Sequence, residues 1–528
     1  MLNTKFHNII KCFIKSSNVR YASEILRKDT KETRDTHHSF LSETFNGNPQ
    51  PTKQEWTDLR NNLLKMKSRS SVVNANNVDV FILSNCLPKQ LETGKSYVKY
   101  LKESGSEPKI SALMRLLKLY FDASRAGIPI TKEDQQYIVD MYNRLAAQYE
   151  IFDSTLGEGL LHGLVLTDEW RKSLDIMDSM KFCSNPSSSA YSAVIGRALH
   201  EGDESLGWNL FNDMIANCTT TLRNEAFESY IHFCEKNNDE FEKNINKMLT
   251  FIRDNEILIT DKIARAFQRA FEKFDYNCSI TTVNPRGKCE SCKQHLPNVH
   301  ITDEELGQLS DHFLNKVLVG RDIFTKSTPE EFQTFIRFMD KTIPYDCVID
   351  GLNVAYSLNT NDPVKRSKAL ASVVKHFADQ KMKILVVGRK HMERWPQMDY
   401  TNRNAKLFLT DNLSQDDPYF LYSTLKSGPN TIFVTRDLIR NHAFKLDLNL
   451  KRIFRKWQQL RQHSMQRVWD SGHVIFHEKI EFDMSAHLLK DHCCHIPFNN
   501  DAFCTLHQDY LELRENWLCV SKKTMAKK

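Results

Sequence analysis

The chain has 528 residues, 41% of them hydrophobic and 10% aromatic, too long for one core and too apolar for wholesale disorder, so several packed domains are expected. A formal net charge of +6 permits a polyanionic partner without requiring one. Thirteen scattered cysteines argue against a secreted disulfide scaffold, and no run of about eighteen apolar residues is present to span a membrane.

Lys5, Lys11, Lys15 and Arg20 precede the first acid, Glu24, while Ile9, Ile10, Phe13 and Ile14 recur at roughly helical spacing. A basic, amphipathic, acid-poor start is the composition of a mitochondrial presequence, so residues 1–22 are expected to direct the chain to the mitochondrial matrix. Residues 23–78 read as a polar linker followed by a helix near Trp56–Met66, with Leu59, Leu63 and Leu64 on one face.

Residues 79–275 are helical in pattern and weakly repetitive. Ile176, Met177 and Met180 match Leu210, Phe211 and Met214 at an offset of about 34, and the Ser154–Leu161 segment matches Ser189–Gly196. Two helices per unit at that period mark an α-solenoid, and the absence of the Trp, Leu-Gly, Tyr signature favours the pentatricopeptide over the tetratricopeptide type. Such arrays present a concave face, often to RNA; an ordinary helical domain is the plainer alternative.

After residue 275 the texture changes. Cys289-x-x-Cys292 has the spacing of half a tetrahedral zinc site, whose other two ligands must come from elsewhere. Helices are expected at Asp303–Leu318 and Pro329–Lys341. Residues 344–465 then alternate short apolar strands (Cys347–Ile349, Ile384–Val387, Leu407–Leu409, Thr431–Thr435) with amphipathic helices, which predicts an α/β domain with a parallel sheet covered on both faces.

In such a sheet, ligands sit beyond the carboxyl ends of the strands. The first strand runs into Asp350-Gly-Leu-Asn353, the stretch after the third into Ser414-Gln-Asp-Asp-Pro418, and the fourth into Thr435-Arg-Asp437. Asp350, Asp416, Asp417 and Asp437 are thereby expected at one edge. Four unpaired carboxylates together repel one another, and divalent cations with oxygen preference, Mg²⁺ first among them, relieve that and can support phosphodiester chemistry. Asn353 is placed to orient water there. Three of them also have a plainer role: Asp417 before Pro418 and Asp437 suit helix N-caps, and Asp350 suits a turn with Gly351. Asp346, Asp399 and Asp411 are rival acids that fit the edge less well.

These three motifs closely resemble those of the protein-only RNase P family, its animal mitochondrial members in particular, over nearly all of the chain beyond the presequence. The resemblance implies a pentatricopeptide array, a zinc-holding central region (276–343 with 466–528) and a NYN-type, PIN-like metallonuclease domain (344–465). It implies that Asp350, Asp416, Asp417 and Asp437 bind catalytic Mg²⁺, two ions being expected. It further implies cleavage of the 5′ leader from precursor tRNA, leaving a 5′-phosphate on the tRNA and a 3′-hydroxyl on the leader. His495 and Cys519 resemble the family's distant ligands, implying one structural Cys₃His zinc site with Cys289 and Cys292; His492, Cys493, Cys494 and Cys504 compete by proximity. Animal mitochondrial members generally work with a tRNA methyltransferase subunit and a short-chain dehydrogenase subunit, whereas plant and protist relatives act alone.

Around the fourth strand the chain turns basic. Arg436, Arg440, Lys451, Arg452, Arg455 and Lys456 are interleaved with Phe444, Phe454 and Trp457. Such a run is usually a solvated helix face; beside a nuclease site it is expected to hold RNA backbone. Two alternatives to a tRNA-processing nuclease stand: a noncatalytic RNA-binding adaptor and a general RNA-decay nuclease.

Overall fold

The computed structural model describes residues 40–65, 73–218, 221–313, 328–358, 360–411, 417–437, 446–469, 471–490, 493–506 and 513–523. The presequence expected at 1–22 lies outside them. Among the described residues no helix is long and apolar enough to cross a membrane.

The first part is a stack of helix pairs. Helices Ile110–Arg125, Ser154–Leu164, Ser188–His200, Asn224–Lys236 and Asp261–Lys273 pack against one another in that order. Between them run the second helices Lys132–Ala146, Lys172–Met180, Glu204–Asn217 and Phe241–Asp254. Local chemistry starts three of these five first helices: the side chains of Asp153, Ser187 and Thr260 accept the N–H three residues on, satisfying a donor that a helix start otherwise leaves orphaned. Each first helix buries apolar residues against its neighbours, Leu160, Leu161, Val194 and Phe227 among them, because one unit alone cannot cover its own apolar face. Two short strands, β1 (Thr221–Leu222) and β2 (Ile259–Thr260), interrupt the last units, and β3 (Tyr276–Thr281) leaves the array.

The α/β domain holds a five-stranded sheet of β4 (Cys347–Asp350), β5 (Ile384–Arg389), β6 (Lys406–Thr410), β7 (Ile432–Val434) and β8 (Gln462–His463). Its order is β6-β5-β4-β7-β8, every pair parallel. The continuous apolar runs follow from burial on both faces: Val348, Leu385 and Phe433 enter one core while Cys347, Ile349, Val386 and Val434 enter the other. Helices Asp303–His312 and Pro329–Thr342, expected in the central region, instead cover the first of these faces through Leu309, Phe335 and Met339. Their apolar stripes complete a half-covered sheet, which chain order does not disclose.

A hairpin of β9 (Met465–Val468) and β10 (Val474–Phe476) leads to β11 (Cys493–Asn499), β12 (Cys504–Thr505) and β13 (Asn516–Lys522). While β12 pairs with β1, strands β11 and β13 form with β2 and β3 a second sheet, ordered β2-β11-β13-β3. Its two faces diverge with strand period two. Leu518, Val520, Ile496 and Phe498 join the array core, whereas Trp517 and Cys519 pack with Val283, Cys289, Leu296 and Phe482. The array therefore ends on this platform, and the α/β domain is inserted between its strands.

Candidate active site and metal centre

The chain leaves β4 toward β5 and β6 on one side, then crosses back to β7 on the other. The junction of β4 and β7 is thus the point where strand order reverses, the place where open α/β sheets bind ligands. Asp350 ends β4 there, one residue past the Ile349–Val434 register pair. Its Oδ1 accepts the Asn353 N–H at 2.9 Å, capping the helix Gly351–Tyr356, and its Oδ2 accepts the Thr435 hydroxyl at 3.1 Å. Thr435 Oγ1 in turn accepts the Asp437 N–H at 3.1 Å, and Asn353 Oδ1 accepts the Arg436 N–H at 2.7 Å. Asp350, Asn353 and Asp437 are thereby fixed to one another through a short bonded chain. Gly351 is required by close approach: a Cβ there would lie 2.8 Å from Met392 Cε and 3.1 Å from the Val387 carbonyl oxygen.

Asp416 lies outside the described residues. Asp417 opens the helix Asp417–Ser427, which packs against β4, and is described only through its backbone. The rival acids have other partners. Asp346 sits at the opposite end of β4, its carboxylate accepting the Lys383 N–H at 2.8 Å. Asp411 pairs with Lys390 at 2.5 Å, and Asp399 begins the short helix Asp399–Asn404.

Two residues of this edge had not been singled out. Thr435 bonds both ends of the site, and a hydroxyl two residues before the next N–H is the mark of a Ser/Thr turn. Gln462 is buried, its Nε2 donating to the Thr435 and Asp437 carbonyls at 3.0 Å each, its Oε1 held by Gln458 at 3.1 Å. No local pattern foretells that clamp. As a donor set, carboxylates from neighbouring strand ends with a carboxamide beside them suit a hard, oxygen-seeking divalent cation.

The second centre gathers Cys289, Cys292, His495 and Cys519, whose ligand atoms all lie within 4.8 Å of one another. His495 and Cys519 face each other directly in the β11–β13 register, and Cys292 Sγ stands 3.3 Å from His495 Nε2. Burial pushes the Cys292 thiol up to about 12; hydrogen bonding with Cys493, together with burial, puts Cys519 at about 11. Thiols so raised ionise at neutral pH only with help from a cation, and sulfur with imidazole in a closed tetrad fits zinc. Cys494 alternates to the opposite, array-facing side, and the Cys504 thiol donates to Asn224 Oδ1 at 3.4 Å. His492 lies outside the described residues.

The basic run lies differently from a free solvated face. Arg452 Nη1 reaches Asp254 at 3.3 Å, Arg455 pairs with Glu256, and Lys456 Nζ reaches Glu305 at 2.7 Å. The helix Leu448–Arg461 packs against the helix Asp303–His312 on its way to β8, so these cations meet acids of the chain itself. Arg436 remains at the site, its guanidinium donating to the Ser357 carbonyl at 3.3 Å. Arg440 is outside the described residues. On the array, a cavity of about 600 Å³ is lined by Arg115, Lys118, His162, Arg223 and Phe503 among others, with the Arg223 guanidinium 4.8 Å above the Phe503 ring.

Comparisons with known proteins bear on both centres. A family model described as protein-only RNase P matches residues 283–519, which span the cysteine pair, the α/β domain and the distant ligands. The mitochondrial ribonuclease P catalytic subunit of Rattus norvegicus is 30% identical over 399 residues, 74% of this chain and 67% of that protein. Its counterpart from Mus musculus is 31% identical over 399 residues, 73% of this chain and 67% of that protein. The crystal structure of nuclear proteinaceous RNase P 2 from A. thaliana shares the fold with a TM-score of 0.57 and 16% identity, covering 85% of this chain and all of that one.

Proposed function

The chain belongs to the protein-only RNase P family, and from that membership we propose that it is the catalytic subunit of a mitochondrial RNase P, acting in the matrix. It is an endoribonuclease of tRNA 5′ maturation. The observation that carries the mechanistic reading is the bonded chain Asp350–Thr435–Asp437 across the β4–β7 junction.

Asp350, Asp416, Asp417 and Asp437 hold two Mg²⁺ ions in this reading. Bound there, Mg²⁺ supplies the Lewis acidity for hydrolysing the phosphodiester between leader and tRNA. The chain's own groups do the rest. Thr435 keeps one Asp350 oxygen aimed and fixes the Asp437 backbone. Asn353 ties the two strand ends, so that neither acid shifts without the other. Arg436, with Arg440 and Lys451, steadies the phosphate backbone without reading bases. The array, of pentatricopeptide type, holds the folded tRNA body, and its Arg115, Lys118 and Arg223 cavity suits polyanion. One structural zinc on Cys289, Cys292, His495 and Cys519 ties the NYN-type nuclease domain to the platform. A tRNA methyltransferase subunit and a short-chain dehydrogenase subunit are the proposed partners.

The test is cleavage of precursor tRNA with the 5′ ends mapped, by the chain alone and with both partners. One cut at the mature 5′ end supports the proposal. Scattered cuts favour a decay nuclease, and binding without any cut favours an adaptor. Thr435→Val keeps side-chain volume while removing both hydroxyl bonds. Cleavage is expected to fall about tenfold to a hundredfold with tRNA affinity unchanged, and an unchanged single-turnover rate would remove Thr435 from the site.

A further inference from the structure

The helix Leu448–Arg461 touches the end of the array, the platform and the nuclease sheet. Near its middle, Arg452 and Arg455 pair with Asp254 and Glu256. Asp254 ends the array helix Phe241–Asp254, and Glu256 follows it in the turn toward β2. One turn on, Gln459 Nε2 donates to the carbonyls of Ile480 and Phe482 at 2.8 Å each, and Phe482 packs with Trp517, Cys289 and Cys519 on the metal-bearing face of the platform. Trp457 stacks on Phe433 of β7 at 4.4 Å. Just past the helix, Gln462 holds the Thr435 and Asp437 carbonyls of the catalytic edge. One rigid element thus runs from the array, past the platform, to the carboxylates.

The Arg455–Glu256 pair is nearly out of water, its side chains 15% and 7% exposed. Glu256 holds a φ of +51°, the left-handed position that closes the helix Phe241–Asp254: its N–H donates to the Arg253 carbonyl and the Ile257 N–H to the Ile252 carbonyl, so the helix end itself fixes where the carboxylate starts. Burying two charges is weakly justified by stability, because desolvation offsets attraction; the better-supported use of such pairs is to specify one arrangement among several. The buried pair falls where the array's last helix and the nuclease domain meet through this helix.

We propose that Arg455 and Glu256, supported by Arg452 and Asp254, are positioning residues that set which phosphodiester is cut, by holding the array in one placement relative to Asp350 and Asp437. This rests on the reading of the chain as a nuclease that cuts precursor tRNA at its mature 5′ end. A tRNA body held by the array presents its leader at a fixed distance, so a tilt of the helix moves the carboxylates along the strand being cut. A displacement of about 1 Å suffices to change a rate by about a hundredfold.

The experiment compares the unaltered full-length chain, Arg455→Glu, and the exchanged pair Glu256→Arg with Arg455→Glu, alone or with the partner subunits as cleavage requires. Ends are mapped to the nucleotide, and tRNA affinity and thermal unfolding are recorded for each protein. Arg455→Glu is expected to raise cutting at neighbouring phosphodiesters about tenfold relative to the mature end, and the exchanged pair to restore a single cut. Three results overturn the proposal. One is an unshifted single cut by Arg455→Glu. Another is a folded exchanged pair that keeps the scattered cuts. The third is affinity lost in both variants alike, which makes Arg455 an RNA contact. Failure of the unaltered chain to cut at the mature end would instead overturn the underlying functional reading, and is visible before any variant is compared.

Discussion

Asp437→Asn is expected to lower single-turnover cleavage of precursor tRNA by about a thousandfold or more, near 4 kcal/mol of lost transition-state stabilisation. The substitution keeps the shape of the side chain and removes its charge. Two bonds that hold this position belong to the main chain: the Asp437 N–H donates to Thr435 Oγ1 and the Asp437 carbonyl accepts from Gln462. Asparagine retains both bonds, so thermal unfolding should be unchanged. Affinity for tRNA should also hold, because the proposal assigns binding to the array and Arg436. The loss therefore belongs to the rate of cutting and not to KM. A variant that cuts within about tenfold of the unaltered chain would remove Asp437 from the metal site. The same substitution at Asp350 has the same expected sign, since asparagine can still accept the Asn353 N–H and cap the short helix.

The second large effect concerns the Cys₃His centre. Replacing Cys289 by Ser is expected to release one zinc per chain, measured by metal analysis, and to open the platform. Structural zinc in small domains contributes about 10–16 kcal/mol of apparent binding free energy at neutral pH, which is also folding free energy. Here the centre joins the Cys289–Cys292 turn, before the nuclease domain, to β11 and β13, which follow it. The core beneath is small, with Val283, Leu296, Phe482 and Trp517 among its members, so it has little else to hold it together. Hydrogen exchange should accelerate in β3, β11 and β13 while the early array helices stay protected. Cleavage should fall as a consequence, because Gln459 anchors the helix behind Asp437 on Ile480 and Phe482. Full retention of protection in the platform after zinc loss would contradict this account.

Much of the α/β domain was legible because its chemistry is local. Cys347-Val-Ile and Ile384-Leu-Val-Val read as strands since both faces are buried, and any residue at such a strand end must lie at the edge of the sheet. That reasoning alone put Asp350 and Asp437 at one edge, where the structure also has them. The Thr435 and Gln462 bonds were not, because they depend on which strands become neighbours, and β8 is only two residues trailing a long helix. The second sheet escaped for a related reason. Cys493–Asn499 and Asn516–Lys522 mix thiols, imidazole, proline and amide, and show their alternation only when paired. His495 and Cys519 became ligand candidates through family resemblance, whereas Cys289 and Cys292 had their spacing. The basic run was the least legible: lysines and arginines on a helix look the same whether they meet water, RNA or acids such as Asp254 and Glu256, which Arg452 and Arg455 reach from roughly 200 residues later in the chain.

The central claim is that the carboxylate edge at the β4–β7 junction cuts the leader from precursor tRNA with the help of Mg²⁺ bound directly to its oxygens. Its most direct test is end-mapped cleavage in Mg²⁺, in excess chelator, and in cobalt(III) hexammine, a cation whose ligands exchange too slowly for carboxylates to replace them. The account predicts one cut at the mature 5′ end in Mg²⁺ and none under the other two conditions, with tRNA still bound. Cutting at that end in chelator or in cobalt(III) hexammine would contradict it.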